Sequence, residues 1–210
     1  DTKECTTFGA GAREYQLGFK RALFSGAGYI ASDVDAYLYS LWGLSNIPMT
    51  TAVSKATGSV AFGGLIMSGK YNSQMSLAEL WSFTLGGEMS SRSFGRGRIL
   101  RLGSGITSDG SSTPLLLRDI SADKFAFGCL HVTAKSGTTP AMVVTIESDD
   151  DIGFASPTTR ATFDSFSDVG SQFKTISGAV TDTYWRAVWD LSGTSPSFDF
   201  NISLLFEEPV

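Results

Sequence analysis

The chain has 210 residues, 42% apolar and 18% charged, with a formal net charge of −5, enough for one large core or two small ones and unlike a disordered polymer. No apolar run reaches the roughly 18 residues of a helical membrane span, and the opening DTKECTTFGAG lacks the charged-then-apolar layout of a secretory signal. Cys5 and Cys129 are too few for a disulfide framework, or for a structural zinc site even with the only histidine, His131, so two free thiols are expected.

REYQLGFKRALF reads as the first strand, with Tyr15, Leu17 and Phe19 on one face and a change of phase near Lys20 and Arg21, as a bulge produces. SDVDAYLYSLWG has the marks of a helix: Ser32 as cap, Asp33 and Asp35 in the first turn, Gly43 as the stop. Its apolar face would hold Val34, Leu38, Leu41 and Trp42. GSVAFGGLIMSG and SLAELWSFTLGG are strands, and the first is apolar on both faces, with Val60, Phe62 and Ile66 on one and Ala61, Leu65 and Met67 on the other. Such a strand needs two covers.

LGSGITSDGSST, small and polar, reads as a linker over 103–113 between a first domain, 1–102, and an all-β sandwich, 114–210. Charge supports two modules: residues 1–105 hold ten Lys/Arg against seven Asp/Glu, and residues 106–210 hold six against fourteen. Downstream, DKFAFGCLHVTA, PAMVVTIES, TTRATFDSF, TDTYWRAVWDL and PSFDFNISLLF are strands separated by turn chemistry at the spacing of an antiparallel sandwich. The last alternates strictly, Phe198, Phe200, Ile202, Leu204 and Phe206 inward. In TYWRAVW the inward set is Trp185, Ala187 and Trp189, leaving Tyr184, Arg186 and Val188 outside.

Five features carry candidate chemistry. Gly9 and Gly11 mimic the start of a dinucleotide fingerprint, but Glu14 stands where the third glycine belongs and a strand follows where a helix should. His131 has the pKa of a general base yet lies mid-strand with no partner at a known motif spacing, which favours a half-buried strand histidine. Asp149, Asp150 and Asp151 offer hard oxygen ligands to calcium, though the alternation of an EF-hand is missing and a solvated loop is the simpler reading. Arg92, Arg96, Arg98 and Arg101, with Phe94 among them, resemble a nucleic-acid surface; in an acidic protein they fit better as subunit-interface residues. Tyr184 is the remaining aromatic that could stack on a sugar ring.

Two stretches resemble the tail tube proteins of long-tailed, non-contractile bacteriophages. One is DTKECTTFGAGAREYQLGFKRALFSGAGYI with the following DVDAYLYSLWG. The other runs from FAFGCLHVTAKSGTTPAMVVTIESDDDIGFASPTTRATF through VGSQFKTISGAVTDTYWRAVWDLSGTSPSFDFNISLLF, similar to the C-terminal region of longer members. The resemblance implies a mainly β protein: a tail-tube-like β-sandwich or barrel with one α-helix, preceded in the family by a further strand, then an antiparallel β-sandwich on the outside. It also implies a structural virion protein, located in the phage tail, with no catalytic residues and no cofactor. Its partners would be copies of itself in stacked hexameric rings, other tail proteins, and double-stranded DNA in transit through the lumen, with no membrane. The alternatives are a carbohydrate-binding or host-adhesion module, with Tyr184 and the SDDDIG loop as its site, and a capsid decoration protein.

Overall fold

The structure, a computed structural model, describes residues 2–4, 15–17, 23–29, 39–74 and 82–207. Its strands are β1 (Thr2–Glu4), β2 (Tyr15–Leu17), β3 (Leu23–Tyr29), β4 (Ile47–Ala52), β5 (Val60–Gln74) and β6 (Ser82–Ile106), followed by β7 (Gly110–Ser111), β8 (Leu115–Leu116), β9 (Phe125–Asp149), β10 (Thr158–Thr162), β11 (Gly170–Ser177) and β12 (Tyr184–Glu207). β1 and β2 form a small antiparallel pair. The other ten strands make one antiparallel sheet in the order β10-β9-β12-β6-β5-β4, with β11 on β9, β3 on β6, and β7 and β8 on β12. The mainly β expectation therefore holds.

The helix expected over 32–43 falls mostly outside the described residues. Tyr39 and Ser40 are helical and Leu41–Gly43 forms a turn. Gly43 has φ +81°, the left-handed conformation that ends a helix on glycine, as its place in the sequence predicts.

The chain divides into two compact units, Asp1–Asn46 with Ile66–Arg92, and Ile47–Leu65 with Ser93–Val210. Residues 103–113 do not separate these units. They lie within the second, where Gly103–Ile106 completes β6 and Gly110–Ser111 pairs with Trp189 and Val188 of β12. Ser112 Oγ accepts the Ala187 N–H at 3.0 Å and Trp189 packs on Gly110, so long-range bonds order a stretch whose local composition reads as a linker. Divided this way, the first unit holds six Lys/Arg against seven Asp/Glu and the second ten against fourteen. The contrast between the two halves of the sequence is thus a contrast within the second unit, whose basic residues include those of β6.

In the second unit β9 and β12 pair along almost their whole length, from Tyr184↔Asp149 to Phe206↔Ala126. This two-stranded ribbon folds back on itself. Trp189 and Phe200 are 11 positions apart on β12, about 36 Å in a straight strand at about 3.3 Å per residue, yet their ring centroids are 5.5 Å apart. Trp185 and Phe206 meet likewise at 6.0 Å. The bend lies at Gly137 and Gly193, with φ +110° and +104°, where a Cβ would run into the carbonyls of Ser195 and Thr139 on the facing strand. The two halves of the ribbon thereby face each other across one core, containing Trp185, Ala187, Trp189, Phe198, Phe200, Ile202, Leu204 and Phe206, the alternating sets read from the sequence.

On the reverse side of the half made by 125–134 and 197–207 lies a second, smaller cluster: Ala61, Ile99, Phe127, Cys129 and Leu205, with Phe173 stacked on Phe127. Two-sided burial explains the unbroken buried run Ala126–Leu130. Ala61 of β5 has its cover there, whereas Phe62 and Met67 are exposed, so the strand read as needing two covers receives only part of the second.

Candidate functional site

The densest polar chemistry lies beside that smaller cluster, where β4 crosses the back of β9. Cys129 and His131 point the same way from β9, two positions apart. Thr50 Oγ shares hydrogen bonds with His131 Nε2 at 3.0 Å and Ser203 Oγ at 3.2 Å, and Ser171 Oγ meets His131 Nδ1 at 2.8 Å. The Cys129 thiol also hydrogen-bonds with Thr50 and Ser203. A cysteine beside a histidine invites a nucleophilic reading, but the electrostatics oppose it. Burial pushes the Cys129 thiol up to about 12, its two hydrogen bonds notwithstanding. Burial pushes the His131 imidazole down to about 4. Both groups are held neutral with their hydrogen-bonding capacity met, which makes the cluster a polar clamp between β4, β9, β11 and β12. Thr50 was not legible as its centre, because nothing in IPMTTA marks one threonine from the other.

The aspartate loop is organised from within. Asp149 is buried, and its two carboxylate oxygens accept the N–H groups of Asp151 and Ser156, each at 3.0 Å. The Asp151 N–H bond, foremost, holds the Asp149 carboxyl below its usual range. Asp150 is shifted upward by its hydrogen bond to Asp149 and the charge it carries. Asp151 Oδ1 accepts the Gly153 N–H at 2.6 Å. Asp149 thus acts as the loop's internal brace, and no group of three or more potential metal ligands occurs among the described residues.

Nearby, Ser148 Oγ donates to Asp182 Oδ2 at 2.6 Å, and Arg160 reaches both at 2.7 Å. The Ser148 bond, and after it Arg160, keeps the Asp182 carboxyl low despite partial burial. Arg186 pairs with Glu147 at 2.7 Å and lies 4.2 Å over the Phe154 ring, a filled outer face on which Tyr184 is half-buried.

The arginines of β6 separate. Arg96 and Arg98 pair with Phe206 and Leu204 and share one face, both exposed. Arg96 lies 5.9 Å over the Phe62 ring, and Arg98 donates to the Gly58 carbonyl at 3.1 Å. The register shifts between Ser203↔Ile99 and Ile202↔Arg101, and that bulge keeps Arg101 on the face of Arg96 and Arg98, where it lies 5.2 Å from the Trp189 ring with Nε buried and unpartnered among the described residues. Arg101, half-buried, packs against the core, whereas Arg96 and Arg98 extend into solvent. The Arg92 side chain, Cys5, Gly9, Gly11 and Glu14 lie outside the described residues.

Phe62, 37% exposed, adjoins Arg96 on this face of β5 and β6. Sequence reasoning did not place Phe62 beside Arg96, since only the pairing of distant strands brings them together. These features define an antiparallel β protein in which burial holds Cys129 and His131 neutral while the Asp149 carboxylate is bonded within its own loop. Comparison with protein-family models, with characterised proteins and with solved structures found no match for the chain.

Proposed function

We propose that the protein is a structural element that associates with copies of itself, and that it builds the stacked rings of a bacteriophage tail tube. Self-association rests on how apolar surface is distributed. Ile66 is the one buried apolar side chain of the first unit among the described residues, whereas Leu23, Tyr39, Trp42, Leu44 and Met67 of that unit are all exposed. Exposed apolar groups in such a concentration mark an interaction surface. The β3-β6-β5 face of the same unit carries an open groove of about 710 Å³, floored by small residues including Gly26, Gly69 and Gly86, which a neighbouring backbone can approach closely. The tube itself is supported by the sequence resemblance and by the antiparallel β architecture; rings need unlike patches that meet head to tail.

Sedimentation velocity across a concentration series, with negative-stain microscopy of the same samples, tests the reading. Rings or tubes are the expected result. A monodisperse monomer at the highest attainable concentration overturns it.

A further inference from the structure

Arg96 and Arg98 form a basic strip on β6, and Arg118, 5.7 Å from the ring of the Phe206 that pairs with Arg96, adds a third positive charge beside it. None of the three pairs with a carboxylate among the described residues. The strip is bordered by the apolar surface of Phe62, over whose ring Arg96 lies. The second unit has a net negative charge, so an unpaired basic strip on it is a local inversion of sign. The same unit also presents its complement. Beyond the internally braced Asp149, the β9–β10 loop exposes Asp150 and Asp151, followed by Ile152, which is 62% exposed. Neither aspartate has a cationic partner among the described residues. Each surface combines a pair of like charges with an apolar side chain, and the signs are opposite.

We infer that the Arg96–Arg98 face of one copy receives the Asp150–Ile152 loop of another, the aspartates meeting the arginines and Ile152 resting on Phe62. The contact joins two different patches, so it repeats from copy to copy and closes into a ring or continues as a filament according to its rotation. Arginine suits the role because its planar guanidinium can take a carboxylate in a bidentate fashion. Salt would weaken the contact through screening, and the apolar centre would leave a residual attraction. The inference rests on the self-association proposed above and assigns it a surface.

The test uses two double variants of the full chain, Arg96→Glu with Arg98→Glu, and Asp150→Arg with Asp151→Arg. Each alone sets like charges against each other at every contact, and assembly should weaken on the order of tenfold or more. Mixed in equal amounts, the two variants present opposite charges at both kinds of contact, and assembly in alternating copies should return. Recovery in the mixture also shows that both variants are folded. Wild-type protein that assembles while each double variant alone assembles equally well, or a mixture that fails to recover, overturns this contact and leaves the self-association reading standing. Wild-type protein that stays monomeric overturns both.

Discussion

If the β9–β12 ribbon folds back, Trp189 and Phe200 are coupled in energy although an extended strand would hold them about 36 Å apart. The informative perturbation is a double-mutant cycle of Trp189→Leu and Phe200→Leu, which keeps apolar volume at both positions while removing the pair of rings. Each single substitution should cost about 1–3 kcal/mol. For Trp189 the loss includes the indole N–H bond to the Ser108 carbonyl at 3.1 Å and the Arg101 guanidinium over its ring. Those losses occur whichever residue occupies position 200, so they cancel in the cycle. What remains is the ring pair, at 5.5 Å and 64°, worth about 0.5–1.5 kcal/mol beyond its buried area. Urea unfolding of the four proteins measures it. A coupling indistinguishable from zero, in this cycle and in the equivalent one for Trp185 and Phe206, refutes the folded ribbon.

His131 should remain neutral in the native protein down to about pH 4, while the unfolded chain takes up its proton near 6.5. Below 6.5 the unfolded state thus binds more protons, and stability falls with pH by about 3 kcal/mol over that window. NMR titration of the imidazole, and loss of this component of the pH slope in His131→Asn, check the sign and the window. The Cys129 thiol should resist alkylation in native protein at pH 8 and react once urea unfolds the chain, read by mass spectrometry of its peptide; native modification at a rate near that of the unfolded chain contradicts the burial described. Gly193→Ala should lower stability by at least about 1–2 kcal/mol, because its φ of +104° disfavours a Cβ and the facing Thr139 carbonyl occupies the space, with thermal melting as the measure.

Local alternation carried much of the second unit. Trp185, Ala187 and Trp189 point inward, as do the even positions from Phe198 to Phe206, because a period of two survives in any half-buried strand. The fold-back was not legible. SGTSPS reads as a turn whether the strands on either side pair with each other or continue as one bent ribbon, and the difference lies in their pairing with β9. Long-range pairing also hid the role of 103–113, where Ser112 is ordered by Ala187 far along the chain. On the candidate surface, the arginines were visible from composition and spacing, but the bulge that keeps Arg101 on the face of Arg96 and Arg98, packed against Trp189, was not. His131 was legible as a mid-strand histidine with a structural part to play, while its three-way clamp with Thr50 and Ser171 depends on contacts that no local pattern encodes.

The position of β12 has a consequence for how the molecule is made. It lies between β9 and β6 and also holds β7 and β8, yet it leaves the ribosome after all of them. Until residues 184–207 emerge, every earlier strand of the second unit that borders it lacks a neighbour, and its apolar face must wait in a half-built state open to unwanted partners. Completion of the layer therefore waits for its last-made member, and a ribosome-stalled chain lacking β12 should be protease-sensitive throughout 93–183, becoming resistant in a single step when the keystone strand is released.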